Sequence, residues 1–374
     1  MHADAQHNLY NTPQSSPLDI QFPPSIDHEH KNGTEIVVSS SSPSPRLCDC
    51  TRFRPPVSDV LLLDVPRIAA NRALRHGRGR PAEPEERRLP DPPLLPRLLR
   101  QCIPKIDWFS FGDELRSINY SVCVCLQGCD GSILLDSTAA FASEKFALPN
   151  NNSARGFELV DAIKARVEAI CPATVSCADV LALSTQEGVA LLGGPTWTVE
   201  LGRRDSRAAF QTAANKEIPS PFDDLKELVA LFRAKGLDAR DMTALSGAHT
   251  IGQAQCFTYA PRIHEDRNID GGFAARLRRT CPANGRGGAR APLDSRTPYR
   301  FDNAFYQELV AKRGLLHSDQ ELFNGGSQDK LVRRYSTDAA AFERDFAAAM
   351  VKMGALLPRP GTKGEIRRKC NRIN

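Results

Sequence analysis

Apolar residues recur at helical spacing only in the C-terminal two-thirds of this chain. In "GFELVDAIKARVEAIC", Phe157, Val160, Ile163, Val167 and Ile170 fall at i, i+3, i+4 intervals, which predicts an amphipathic helix. "TVSCADVLALSTQEGVALLGG" predicts a second: Ser176 can cap it, Asp179 follows three residues on, and Gly193 ends the run. "DDLKELVALFRAKGL" is a third, closed by Gly236. "LDARDMTALSGAHTIGQAQC" opens on Asp238 with Asp241 at the N3 position, a variant of the capping box. "FDNAFYQELVAKRGLL" and "TDAAAFERDFAAAMVKMGAL" add two more. Only "TWTVELGRRDS" alternates with the period of a strand, as a short hairpin does. The expected fold class is therefore mainly α, with long irregular connections and one minor β-hairpin.

Residues 1–120 have a different texture. "SSSSPSPRLCDC" is low in complexity, and "RGRPAEPEERRLPDPPLLPRLLRQC" mixes prolines with arginines at no useful period. Proline removes the helix donor and steers the preceding residue out of the helical region, so neither helix nor strand propagates. A linker, a tail or an aberrantly translated segment is expected over 1–120, and a packed domain over 121–374.

Composition narrows the class. The 374 residues are 41% hydrophobic and 25% charged, which suits a globular protein. The net charge of +5 comes with scattered arginines, so nucleic-acid binding is not expected. No apolar run approaches a membrane span. Eleven cysteines show no paired CxxC at zinc-ribbon spacing and suit disulfides in an oxidising compartment. The N-terminus, "MHADAQHNLYNTPQSSPLDI", carries no secretory signal pattern.

Of eight histidines only His249, in "ALSGAHTIG", lies in an apolar helical context. It reads either as a core histidine or as a metal ligand. The small residues Ser246, Gly247, Ala248 and Gly252 favour the second reading, because a flat ligand lying against a helix needs one face stripped of bulk. A ligating imidazole also needs its other nitrogen held, and Asp319 in "LLHSDQELF" is the candidate. Asp294, Thr297 and Asp302 in "PLDSRTPYRFDNAFY" offer hard oxygens, either as a calcium half-site or as N-cap residues. "GCDGSILLD" is a further oxygen-rich turn, with Asp130 and Ser132, although by itself it reads first as an ordinary Asp-Gly turn.

Eight blocks in order carry a resemblance: "GCDGSILLD", "SEKFALPNNNSARGF", "CPATVSCADVLAL", "GGPTWTVELGRRDS", "ALSGAHTIGQAQC", "RTPYRFDNAFY", "GLLHSDQELF" and "MVKMGALLPRPGTKGEIRRKC". Over residues 126–374 the chain resembles the secreted class III plant haem peroxidases. That resemblance implies two helical lobes sandwiching one haem b, two Ca²⁺ ions, and oxidation of phenolic or other aromatic donors by H₂O₂. His249 matches the axial ligand of the iron and Asp319 the carboxylate behind it. Thr250, Asp294, Thr297, Asp302 and the carbonyl of Arg300 match the proximal Ca²⁺ ligands. The carbonyls of Leu126 and Gly128, with Asp130, Ser132 and Glu144, match much of the distal Ca²⁺ site. Asn150 matches the amide that orients the distal histidine, and Pro219 the residue at the aromatic-substrate edge. Cys177–Cys370 and Cys256–Cys281 match two family disulfides, and Asp179 with Arg203 a buried ion pair. A secreted monomer follows, with N-glycosylation sequons at Asn32, Asn119 and Asn151.

The resemblance breaks off at the catalytic side. Cleaving the peroxide bond needs a neutral histidine to carry a proton between the oxygens and an arginine to stabilise the departing charge. Counted back from Cys129, the histidine position falls on Val122 and the arginine position on Ile118. Val124 and Cys123 stand where a disulfide cysteine and the first distal Ca²⁺ aspartate belong, so the distal calcium set is incomplete and Cys171 is expected to have lost its partner. No histidine occurs between residues 76 and 249. Codons permitted by Leu89 to Gln101, read one nucleotide later, allow SLIRLSFHDCFVN, the missing motif. Residues 102–127 then read as a retained intron. The expectation is a misframed first exon joined to a peroxidase domain, giving either a working peroxidase family member or a catalytically impaired haem-binding relative.

Overall fold

The computed structural model describes residues 129–356 and 363–374. The chain divides into the units Met1–Ala82 and Glu83–Asn374, and every described residue belongs to the second. Its secondary structure is almost entirely helical, as expected. The helices are α1 (Phe157–Ile170), α2 (Cys177–Leu191), α3 (Gln211–Glu217), α4 (Leu225–Ala234), α5 (Ala239–Ser246), α6 (Cys256–His264), α7 (Gly271–Arg278), α8 (Ala304–Val310), α9 (His317–Glu321), α10 (Asp329–Thr337) and α11 (Ala339–Gly354). Short 3-10 turns cover Ser132–Leu134, Glu144–Phe146 and Gly247–Thr250.

The capping signals act where the sequence puts them. Ser176 Oγ accepts from Asp179 N at 3.0 Å and starts α2. Asp238 and Asp241 form a reciprocal box at the start of α5, each carboxylate accepting the other's backbone N–H at 2.8 and 3.0 Å. These contacts satisfy donors that a helix leaves orphaned in its first turn. Gly193 and Gly236 take positive φ values, 90° and 79°, that end α2 and α4. In α1, Leu159, Val160, Ile163 and Val167 are buried, whereas Ile170 at the helix end stays exposed.

The expected hairpin is corrected. Residues 196–206 form no strand and make only an isolated bridge, Asp205 to Glu365. Their side chains turn to helices instead: Trp197 meets Phe346 edge-on at 5.9 Å, and Arg203 reaches Asp179. The antiparallel pair lies elsewhere, β1 (Gln253–Gln255) against β2 (Arg290–Pro292), with Ala254 opposite Ala291. Alternation shows that a segment can pair, but a ladder needs a second strand beside it.

Two large apolar clusters, and a minor one of Ala147 and Ala214 with Ile218, hold the described chain. The larger joins α1, α2, α5, α8, α10 and α11, with Phe301, Phe342 and Phe346 packed at centroid separations of 4.8–5.8 Å. The smaller surrounds α6 and α7, with Tyr259, Ile263, Phe273, Leu315 and Leu316. Helix α9 lies between them: Leu316 before it belongs to the smaller cluster, and Leu322 after it to the larger. No helix among the described residues is long and apolar enough to cross a membrane.

Candidate active site

His249 does not sit inside a helix. Helix α5 ends at Ser246, and His249 is carried by the 3-10 turn that follows. Its Nδ1 lies 2.7 Å from Asp319 Oδ1, and the other Asp319 oxygen accepts from Leu316 N at 3.3 Å. Asp319 is buried, and the His249 side chain keeps 27% of its surface open. Burial works against a charge on the imidazole, but the Asp319 carboxylate and its hydrogen bond outweigh that and hold the histidine above its ordinary range. Nε2 makes no hydrogen bond to a described residue, so one ring nitrogen is fixed and the other is available to a ligand.

The small residues around His249 have causes of their own. A Cβ on Gly247 would collide with the Phe342 ring and the Tyr306 hydroxyl, so its smallness serves the core rather than a ligand face. Gly252 has φ of +97°, a conformation that favours glycine. Tyr306 donates its hydroxyl to Thr243 O at 2.8 Å, tying α8 to the helix that leads into the histidine turn.

Next to His249, Thr250 is fully buried and its Oγ1 points into a nest of oxygens. Asp294 Oδ2 lies at 3.2 Å, Asp302 Oδ1 at 3.4 Å and Arg300 O at 3.5 Å. Thr297 Oγ1 joins them at 3.2 Å from Asp294 Oδ2 and 3.0 Å from Asp302 Oδ1. Two carboxylates, two hydroxyls and a carbonyl converging in this way suit a hard cation that takes oxygen ligands.

A second oxygen group forms around the first described turn. Asp130, Ser132 and Glu144 are all buried. Asp130 Oδ1 accepts from Ser132 N at 3.0 Å, and Glu144 Oε1 accepts from Phe210 N at 2.9 Å. Burial pushes both carboxyls up, although hydrogen bonds and the Arg367 charge oppose it, and the Asp130 charge adds to the shift at Glu144. Paired buried carboxylates lacking enough positive charge are the chemistry a divalent cation relieves. Leu126 and Gly128 lie outside the described residues, as do Ile118, Val122, Cys123 and Val124.

Asn150 is buried and donates Nδ2 to Glu144 O at 2.9 Å, which fixes it to the same turn. Pro219 is half-buried in the connection between α3 and α4. Cys177–Cys370 and Cys256–Cys281 are bonded as the resemblance implied. Cys171 is also disulfide-bonded, which corrects the expectation that it had lost its partner. Asp179 and Arg203 pair at 3.1 Å, and Gly202 N adds a 2.7 Å bond to the same carboxylate. Sequence reasoning missed one group altogether: His317 and Glu321, a helical turn apart on α9, meet Asp224 from the start of α4. The i, i+4 spacing was visible, but the 93-residue separation from Asp224 was not bridgeable from the sequence.

A mainly helical protein with a carboxylate-backed histidine and flanking oxygen nests is the class that fold and site define. The family model described as Peroxidase matches residues 98–338. A lignin-forming anionic peroxidase of Nicotiana sylvestris is 54% identical over 250 residues, covering 67% of this chain and 78% of that protein. Peroxidase 70 of Zea mays is 53% identical over 266 residues, 70% and 82% of the two chains. Peroxidase 68 of Arabidopsis thaliana is 56% identical over 252 residues, 67% and 78%. The chain belongs to the peroxidase family, and its relatives there are plant class III enzymes.

Proposed function

We propose that residues 121–374 form a haem peroxidase domain, preceded by a tail or aberrantly translated segment over 1–120 of which the family model reaches only residues 98–120, and that its donors are phenolic. The observation that carries the reading is the His249–Asp319 bond, which leaves Nε2 without a protein partner among the described residues. The donor set fits the group: an imidazole with its far nitrogen held by a carboxylate is the usual arrangement of a metal-ligating histidine. A ferric haem b held at Nε2 supplies the two-electron reduction of H₂O₂ and the one-electron oxidation of aromatic donors. The chain's own residues do the rest. Asp319 keeps the proton on Nδ1 and makes Nε2 a stronger donor. Thr250, Asp294, Thr297, Asp302 and the Arg300 carbonyl would hold one Ca²⁺ beside that turn, and Asp130, Ser132 and Glu144 would supply part of a second site, to which the resemblance adds the carbonyls of Leu126 and Gly128, outside the described residues. Pro219 lines the donor edge, and Asn150 stands where a distal histidine would be oriented. The lignin-forming relative supports the phenolic class of donor. The role is disposal of H₂O₂ under oxidative stress by a secreted monomer; the disulfides and the exposed sequon residue Asn151 support secretion.

A specific observation favours impaired turnover in this chain. The sequence has no histidine between residues 76 and 249, so no imidazole stands just before the Cys129 turn to move the peroxide proton. Losing the general acid–base group and the charge-stabilising arginine together lowers turnover by roughly a thousandfold or more. Haem titration followed at the Soret band tests the proximal site, and guaiacol oxidation by this chain beside an intact relative tests the distal one. Turnover near that of the relative overturns the second claim without touching the first. Full-length cDNA tests the misframed exon: a spliced message still encoding Leu89–Gln101 as given refutes it.

A further inference from the structure

His317 stands between two carboxylates that come from distant parts of the chain. Its Nδ1 lies 2.8 Å from Asp266 Oδ2 and its Nε2 lies 2.9 Å from Asp224 Oδ1. Glu321, one helical turn on, brings a third carboxylate close to the pair formed by Asp224 and His317. The ligand atoms of Asp224, His317 and Glu321 all lie within 4.8 Å of one another. We propose that these three residues form a binding site for a divalent transition-metal cation such as Zn²⁺, with Asp266 positioning the imidazole.

The donor chemistry selects the class of ion. One imidazole and two carboxylates suit zinc and its neighbours, whereas calcium takes six to eight oxygens and no nitrogen. Asp266 occupies the nitrogen opposite the metal side, the carboxylate–histidine pairing that orients metal-ligating imidazoles. Asp266 is itself fixed, because the buried guanidinium of Arg262 donates to the same oxygen at 3.1 Å. Asn324 Nδ2 donates to Glu321 Oε1 at 2.5 Å and steadies that carboxylate. Three carboxylates face one histidine and one arginine, so a cation entering here meets net negative charge. The site is reachable: the Asp224 side chain is 69% exposed and that of His317 is 26% exposed.

With both ring nitrogens facing carboxylates, the imidazolium form of His317 can donate one proton to each of Asp266 and Asp224. Metal binding exchanges the Nε2 proton for the metal and releases it to solvent, while Nδ1–H stays on Asp266. The site is separate from the oxygen nests around Thr250 and Asp130, and it does not depend on the haem reading. It has a structural consequence nonetheless. Helix α9 also carries Asp319, and Ser318 N donates to Pro221 O at 3.1 Å. A bound cation would fasten the Pro219–Asp224 segment to the helix that orients His249.

Calorimetric titration of ZnCl₂ into the full chain, with Ca²⁺ in excess to saturate oxygen-only sites, tests the proposal. The wild type should take up one more equivalent of zinc than His317→Gln or Glu321→Gln, and Asp266→Asn should bind that equivalent about 10- to 100-fold more weakly. Zinc should raise the thermal midpoint of the wild type and not that of His317→Gln. Matching far-UV circular dichroism without zinc establishes that each variant is folded. If His317→Gln fails that check, Glu321→Gln, which keeps side-chain volume and the Asn324 contact, decides the matter. Equal stoichiometry and affinity in the wild type and a folded variant overturn the site.

Discussion

Asp319 Oδ1 and His249 Nδ1 lie 2.7 Å apart although 70 residues separate them in the chain. The pairing joins a turn after α5 to a five-residue helix, α9, and leaves Nε2 as the histidine's available nitrogen. Asp319→Asn keeps the shape and removes the charge. Haem retention or activity should fall about 10- to 100-fold, and the ferric/ferrous midpoint should rise because a less basic imidazole stabilises the ferric state less. Soret titration and spectroelectrochemistry check both, and unchanged values would take Asp319 out of the site.

Calcium should act through Thr250, whose Oγ1 lies 3.2 Å from Asp294 Oδ2 and whose neighbour is His249. Adding Ca²⁺ at a hundred times its dissociation constant should stabilise the chelated protein by about 2.7 kcal/mol. For a domain of this size that is about 5–10 °C in melting temperature. The Soret spectrum of the haem-loaded protein should shift in the same titration. A melting temperature indifferent to EGTA contradicts a calcium role for this nest.

Gly247→Ala tests whether core packing sets the position of the histidine turn. The added methyl meets the Phe342 ring and the Tyr306 hydroxyl, neither of which can swing away within the aromatic cluster. Overpacking of this kind costs about 1–3 kcal/mol. Urea unfolding gives the loss, and a weakened haem complex in the same variant would show that the turn has moved.

Asp205 and Arg367 form a pair with both side chains fully buried, 3.8 Å apart. Burial raises the acid and lowers the base, so desolvation governs both groups. Asp205 also accepts from Cys177 N at 3.0 Å, Ala178 N at 2.8 Å and Arg367 N at 2.8 Å, which fastens the start of α2 to the C-terminal segment beside Cys177–Cys370. Asp205→Ala leaves the guanidinium with only the Gly131 and Cys370 carbonyls as acceptors among the described residues, removes the acceptor of three backbone N–H groups, and should cost about 3–5 kcal/mol in urea unfolding. A loss below about 1 kcal/mol would mean that water replaces the carboxylate.

Acid should weaken the cap of α5. Asp238 is held below its ordinary range chiefly by the Asp241 N–H it accepts, with burial opposing and the Lys352 charge assisting. A depressed native pKa gives stability that is present above the unfolded value, about 3.9, and is lost as pH falls through the native value. Asp238→Asn keeps a neutral cap, so its stability should change less than that of the wild type between about pH 5 and pH 2. The difference should be no more than about 1 kcal/mol, the worth of a cap. Parallel curves would assign the acid loss elsewhere.

The chain's local pattern determined its helices wherever a long amphipathic run met a cap, as at Ser176, Asp238 and Gly236, because periodicity and capping act over a few residues. Shorter helices escaped it: α6 holds Pro261, α7 begins with two glycines, and α9 has only five residues, so packing rather than propensity forms them. The strand signal in residues 196–206 misled for a similar reason, since pairing depends on a neighbour the segment does not have. Residue types and motif order pointed to His249, the oxygen-bearing side chains and the cysteine pairs. Motif order also named Asp319 as the partner of His249, but tertiary structure alone set their 2.7 Å contact, turned Gly247 into a core contact, and gathered Asp224, Asp266 and Glu321 around His317. Those contacts span tens of residues, and only the fold of the intervening chain sets distances of that kind.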